Sequence, residues 1–163
     1  MNQLISQDAL DVLCPMHLAL DDSSCIVHAG PTLSKLGIRG GLVGRPILDV
    51  FEFKRPRVLA GINDLKRFDH QKLRLKLLDP PHTSFKGVLI KTGEAETEMV
   101  INLSFGMSIL EGVREFSLTN ADFAATDLAL ELMYLVEAKT AAMQASFRLN
   151  SRLQGAKAAA DEQ

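Results

Sequence analysis

The sequence predicts an α+β domain followed by one long C-terminal helix. Short apolar runs typical of strands occur before residue 30 and again after residue 72. Helix-forming segments lie between them, which favours a five-stranded antiparallel sheet with helices on one face. The last third of the chain has neither Gly nor Pro between Asn120 and Gly155 and is rich in strong helix formers.

The first elements are a short helix and a hairpin. Residues 2–13 have a rough apolar face and precede Pro15, which ends the helix because proline lacks the backbone N–H. Two apolar runs, residues 16–20 and 25–29, flank the polar turn at residues 21–24, and this pattern predicts two paired strands.

The middle of the domain is predicted to be mostly helix and loop. Pro31 opens a short helix, and the glycines of residues 37–46 have turn spacing rather than phosphate-loop spacing. Residues 47–51 form a short apolar turn or helix. A longer helix is expected to begin after the Arg55-Pro56 dipeptide and to end near Phe68.

Three strands complete the predicted sheet. Leucines alternate with basic residues from Leu73 to Leu77, and apolar runs follow at residues 84–93 and 98–106. A mixed element at 109–118 ends the predicted domain, residues 1–118. Residues 119–163 then form the long helix, with Asn120 or Asp122 as its predicted N-cap.

Leucines at heptad spacing along the long helix predict a narrow contact seam with a second helix. The predicted dimerisation residues are Leu128, Leu132, Leu135, Leu149 and Leu153. Lys139, Ala142 and Ser146 weaken the middle of the seam. We expect a homodimer, with parallel and antiparallel pairing both open. The alternative is that the helix packs on its own domain.

Composition limits the function classes. A length of 163 residues fits one domain with an extension, and a net charge of −2 does not suit a general nucleic-acid binder. No apolar run approaches the roughly 20 residues needed to cross a bilayer. The first residues lack a signal-peptide pattern, so we expect a cytoplasmic protein whose Cys14 and Cys25 are free thiols.

No residue pattern points to catalysis, a cofactor or a metal, and we expect none of these sites in this chain. The four histidines, His17, His28, His70 and His82, have no metal-ligand spacing, although His17 and His28 can be neighbours across the first hairpin. The serines lack a Gly-x-Ser-x-Gly elbow. The Lys/Arg-rich segment at 52–76 is interpreted as a solvated face, with binding of an acidic partner domain as the alternative.

Several short motifs, in order, resemble those of a known signalling domain. They are Cys14-Pro15-Met16-His17, Leu48-Asp49-Val50-Phe51, Leu73-Arg74-Leu75-Lys76, Phe85-Lys86-Gly87 and Asp122-Phe123-Ala124 with Thr126-Asp127-Leu128. Their order and spacing resemble the PAS-like domain associated with haem–nitric-oxide-binding domains. That domain occurs in soluble guanylate cyclases and related bacterial signalling proteins.

The resemblance implies a regulatory module rather than an enzyme. It implies a homodimer that relays a signal from a haem–nitric-oxide-binding sensor domain to a C-terminal, cyclase-type output domain. The long helix becomes a coiled coil, and the chain is then a piece of a larger protein. The alternative function is a PAS sensor with its own small molecule in the cavity, although we expect the core to be filled by side chains.

Overall fold

The computed structural model describes residues 5–57, 62–93 and 98–162, in two compact units that divide between Asp127 and Leu128. The first unit contains helices α1 (Gln7–Leu13), α2 (Pro31–Ser34), α3 (Ile62–Leu65) and α4 (Ile109–Glu115). Its strands are β1 (His17–Leu20), β2 (Ile26–Ala29), β3 (Phe51–Arg55), β4 (Lys72–Leu77), β5 (Ser84–Lys91) and β6 (Met99–Ser104). The second unit is helix α5 (Ala129–Asp161).

The α+β class is confirmed, but the sheet has six strands in the order β2-β1-β6-β5-β4-β3 rather than five. All neighbouring strands pair antiparallel. The additional strand is β3, where Phe51 and Phe53 are buried and Glu52 and Lys54 are exposed. This alternation is a strand pattern, but it lies beside the Arg55-Pro56 dipeptide that suggested a turn and a helix.

One face of the sheet carries the core. Directly paired residues share a face, so the pairs Leu18–Ile101, Ile101–Leu89 and Phe85–Leu75 place their side chains on one side. All five of these residues are buried. The Phe85 ring lies 5.1 Å from that of Phe105 and 5.9 Å from that of Phe51, and burying such aromatic groups is a main source of stability.

The helices are not confined to one face, which corrects the prediction. Ala19 and His28 are paired and share the face opposite Leu18, and the Asp11 carboxylate of α1 contacts His28. Helix α4 lies on the core face, because Gly112 packs against Phe105 and Phe105 contacts Phe85. Helix α1 therefore covers the β1–β2 end of the other face.

Other predicted elements agree in position but differ in length. The hairpin and the strands at 72–77, 84–91 and 99–104 are confirmed. Residues 2–4 of the predicted first helix lie outside the described residues, as do residues 58–61 of the helix expected to end near Phe68. The described part of that second helix is α3 and a following 3-10 turn, Lys66–Phe68.

The long helix is confirmed, but its predicted start at Asn120 or Asp122 was wrong. Asn120–Asp122 forms a separate 3-10 turn, and α5 begins after Leu128 without a side-chain cap. The helix continues through Gly155 to Asp161. Thr119 and Asp122 do form a capping box, but it closes the short turn rather than the long helix.

Candidate functional site

The predicted dimerisation residues all belong to the second unit. Leu132, Leu135, Leu149 and Leu153 lie on α5, and Leu128 is the residue directly before it. Because an α-helix turns 100° per residue, their 4-3 spacing places them along one side of the helix. The structure thus brings these five leucines into one stripe, with Lys139, Ala142 and Ser146 between the two ends.

Most of this stripe is exposed. Leu128 and Leu135 have 73% and 68% of their surface accessible, and Leu149 and Leu153 have 58% and 60%. Leu132 is partly exposed, and every described residue from Glu137 onward is exposed. The stripe thus has an exposed apolar group of leucines at each end, separated by Lys139, Ala142 and Ser146.

A second group of chemically active side chains lies in the first unit, where sequence reasoning predicted no site. Asp11 comes from α1, His17 from the start of β1 and His28 from β2. Their ligand-type atoms all lie within 4.8 Å of one another. The His17 and His28 rings are 5.2 Å apart, so the suggested proximity across the hairpin is present. We call these three residues the Asp–His cluster.

The turn before β1 fixes the orientation of His17. Its Nδ1 lies 2.7 Å from the Cys14 carbonyl oxygen, which can only accept, so Nδ1 carries the proton and Nε2 carries a lone pair. Gly30 allows this arrangement, since a Cβ atom there would overlap the Pro15 carbonyl and lie 3.1 Å from His17 Nδ1. His17 is fully buried.

Electrostatics keep this imidazole neutral. Burial lowers the pKa of His17, while the Cys14 carbonyl raises it; the nearby His28 also lowers it, and Asp11 raises it. Taken together, these effects lower the pKa of His17 below its ordinary value. Burial also raises the pKa of the Cys14 thiol, so that group stays protonated.

The remaining histidines are separate from the cluster. The His70 side chain is 75% exposed, with its Nε2 3.7 Å from Asp69. His82 is exposed as well, and its Nδ1 contacts the Leu77 carbonyl.

Only one sequence feature pointed to the Asp–His cluster, namely the predicted hairpin that brings His17 near His28. Asp11 could not be added from sequence because the face that a seven-residue helix covers depends on tertiary packing.

Several basic side chains of the 52–76 segment form ion pairs with nearby carboxylates. Lys54 lies 3.0 Å from Glu52, and Lys66 lies 3.1 Å from Glu98 with both side chains half-buried. Arg67 is 3.8 Å from Asp64. These ion pairs reduce the positive charge that the segment can offer to an acidic partner.

Two clefts open on the surface of the described residues in the first unit. One, about 210 Å³, lies between Cys14, Ser104 and Phe123, and the other, about 330 Å³, lies between Leu36, Pro81 and Phe116. Ligand pockets usually measure about 300–1,000 Å³ and enclose most of their ligand. Both clefts are open to solvent, and neither is lined by the Asp–His cluster.

Comparison with known proteins assigns no family. No protein-family model and no curated protein sequence matches the chain. Among the described residues, no helix combines the length and the apolar character needed to cross a membrane.

Proposed function

We propose that this chain is a homodimeric regulatory module of the PAS-like type associated with haem–nitric-oxide-binding domains. It relays a signal from such a sensor domain to a C-terminal output domain, a guanylate or other nucleotide cyclase. The chain itself supplies dimerisation and transmission rather than catalysis. The proposal places it in the cytoplasm, where Cys14 and Cys25 remain free thiols.

The exposed leucine stripe of α5 carries this proposal. A helix of 33 residues extends about 50 Å at 1.5 Å per residue. Isolated helices gain little stability from propensity alone, and most depend on packing of an apolar face. A second copy of the same helix offers an identical stripe, which is the usual arrangement in a homodimeric coiled coil.

The order of elements in the first unit supports the same proposal. A hairpin, then short helices, then strands of an antiparallel sheet precede a long helix, as the resemblance implies. Strand β3 is an addition to the five expected strands. The alternative function, a sensor with its own small molecule, has weaker support because both clefts are open to solvent rather than enclosed, and only one of them reaches the usual pocket volume.

Leu135→Asp tests the proposal, with Tyr134→Asp as the matched control. The two side chains are 68% and 64% exposed in the single chain, so neither change disturbs a packed core. Leu135 is on the seam, whereas Tyr134 is rotated about 100° away from it. A carboxylate in the seam must be desolvated or protonated on pairing, so Leu135→Asp should weaken dimerisation at least 30-fold.

Sedimentation equilibrium measures this difference directly. The expected result is a dimer for the original chain and the Tyr134 variant and a monomer for the Leu135 variant. Equal dimer affinity in the two variants would contradict the seam. In the full protein that the proposal implies, Leu135→Asp should also lower cyclase activity, and Tyr134→Asp should leave it unchanged.

A further inference from the structure

The Asp–His cluster combines a buried imidazole nitrogen with two partly exposed ligand groups. His17 Nε2 has no hydrogen-bond partner among the described residues, although the side chain is fully buried. The nearest charged atom is Asp11 Oδ1, 3.8 Å away, which is beyond hydrogen-bond distance. Buried polar atoms are nearly always partnered, so an orphaned lone pair that faces other ligand groups requires an explanation.

A metal ion supplies the missing partner. We propose that Asp11, His17 and His28 bind one divalent transition-metal ion, with Zn²⁺ the best match. Two imidazole nitrogens and one carboxylate oxygen suit zinc and its neighbours in the first transition row, whereas Mg²⁺ and Ca²⁺ prefer oxygen ligands throughout. Three protein ligands with a fourth position for water is a common zinc arrangement.

The distances are compatible with such a site. Zinc–nitrogen and zinc–oxygen bonds near 2.1 Å in tetrahedral geometry place neighbouring ligand atoms roughly 3.4 Å apart. Asp11 Oδ1 lies 2.8 Å from His28 Nε2 and 3.8 Å from His17 Nε2, values on either side of that separation. In the metal-free chain His28 Nε2 donates a hydrogen bond to the Asp11 carboxylate, so the ion would replace this hydrogen bond and His28 would keep its proton on Nδ1.

The surroundings of the cluster also suit a metal. The hydrogen bond from His17 Nδ1 to the Cys14 carbonyl is the kind of outer contact that fixes the tautomer and ring orientation of metal-bound histidines. The Asp11 and His28 side chains are 29% and 25% exposed, which leaves a solvent-facing side for water.

Metal binding would fasten α1 to the hairpin. Helix α1 has seven residues and buries none of them, so it is short and weakly held. Asp11 is its contribution to the cluster, while both histidines belong to the sheet. The ion would therefore join an element at the beginning of the described chain to the edge of the fold. This inference is independent of dimerisation through α5.

Zinc binding to the chelator-treated, metal-free chain tests the inference. Isothermal titration with a zinc salt, supported by metal analysis after dialysis, should give one ion per chain. Asp11→Asn and His28→Gln should each weaken zinc binding at least 100-fold, since loss of an outer contact alone costs 10–100-fold. Zinc should also raise the Tm of the original chain and leave the Tm of both variants unchanged.

Two control variants separate this site from other ligands. His70→Gln removes an exposed histidine that also lies beside an aspartate, and Cys14→Ser removes the nearest thiol while keeping the carbonyl that orients His17. Both should bind zinc as the original chain does. Circular dichroism confirms that the metal-free variants are folded. Absence of stoichiometric binding, or equal binding by the Asp11 and His28 variants, would overturn the inference.

Discussion

The two units of the chain differ in how far they bury their large apolar side chains. In the sheet unit, Phe85 is 2% exposed and contacts two further aromatic rings. In the helical unit, Phe147 is 74% exposed. The sheet unit holds a core of its own, whereas several large apolar residues of α5, among them Leu135 and Phe147, are exposed. The proposed dimer contact through α5 would require such a contrast.

The largest expected effect comes from replacing these two phenylalanines. Phe85→Ala should lower the free energy of unfolding by about 3–5 kcal/mol, since it removes a buried ring and leaves a cavity. Phe147→Ala should change it by less than about 0.5 kcal/mol at concentrations where the chain is monomeric. Urea denaturation of both variants, followed by circular dichroism, measures the difference.

The same experiment can contradict this difference in burial between the two units. A loss of several kcal/mol for Phe147→Ala in the monomer would mean that α5 packs within a single chain after all. A loss for Phe147→Ala that appears only at high protein concentration would instead sharpen the comparison, because it would place Phe147 near the dimer contact.

A glycine pair should give effects of opposite sign. Gly30 lies against the Pro15 carbonyl and the His17 ring, so Gly30→Ala should destabilise the sheet unit by about 1–3 kcal/mol. Gly155 lies inside α5 with open space around it, so Gly155→Ala should stabilise the helix by about 1 kcal/mol. Thermal melts and amide hydrogen exchange report the two effects. Destabilisation by Gly155→Ala would reveal a close contact at that point of α5.

The contrast also explains which features sequence reasoning could predict. Strand β4 was found because Leu73, Leu75 and Leu77 alternate with charged residues, and this period depends only on local geometry. Strand β3 has a similar alternation but has only five residues and adjoins a proline. Its assignment depends on pairing with β4, which is a tertiary contact.

The predicted N-cap of the long helix, Asn120 or Asp122, was wrong, because both residues belong to a separate short turn. Thr119 and Asp122 form a real capping box, yet the turn that they close ends well before α5. Gly155 lies inside α5, because glycine within an exposed helix costs only about 1 kcal/mol. A long helix built from strong formers can include it. Local signals therefore located a boundary region without locating the boundary itself.

The two candidate sites also differ in how much of each could be predicted from the sequence. The leucine stripe follows from sequence spacing alone, because four of its residues belong to α5 and Leu128 directly precedes that helix. The Asp–His cluster joins three elements, and only the hairpin pair was suggested by sequence. Asp11 reaches His28 because α1 folds over the β1–β2 end of the sheet, and residue spacing contains no such information.

The smallest expected effect concerns Asp122, near the end of the sheet unit. Its carboxylate lies 2.9 Å from Lys35 Nζ and accepts a hydrogen bond from the Thr119 N–H at 2.7 Å. The Thr32 hydroxyl donates to the Asp122 carbonyl. Burial alone would raise the pKa of Asp122, but the contacts with Thr119 and Lys35 outweigh it and lower the pKa below its ordinary value.

A carboxyl group whose folded-state pKa is lowered stabilises the fold above its unfolded pKa, near 3.9, and this contribution is lost as the pH falls through the folded value. Asp122→Asn should therefore destabilise the fold at pH 7 and do so progressively less below pH 4. Urea denaturation at several pH values measures this trend. Asp161→Asn, on an exposed side chain at the end of α5, is the control. An Asp122→Asn effect that is independent of pH would show that side-chain shape, rather than charge, holds this turn against α2.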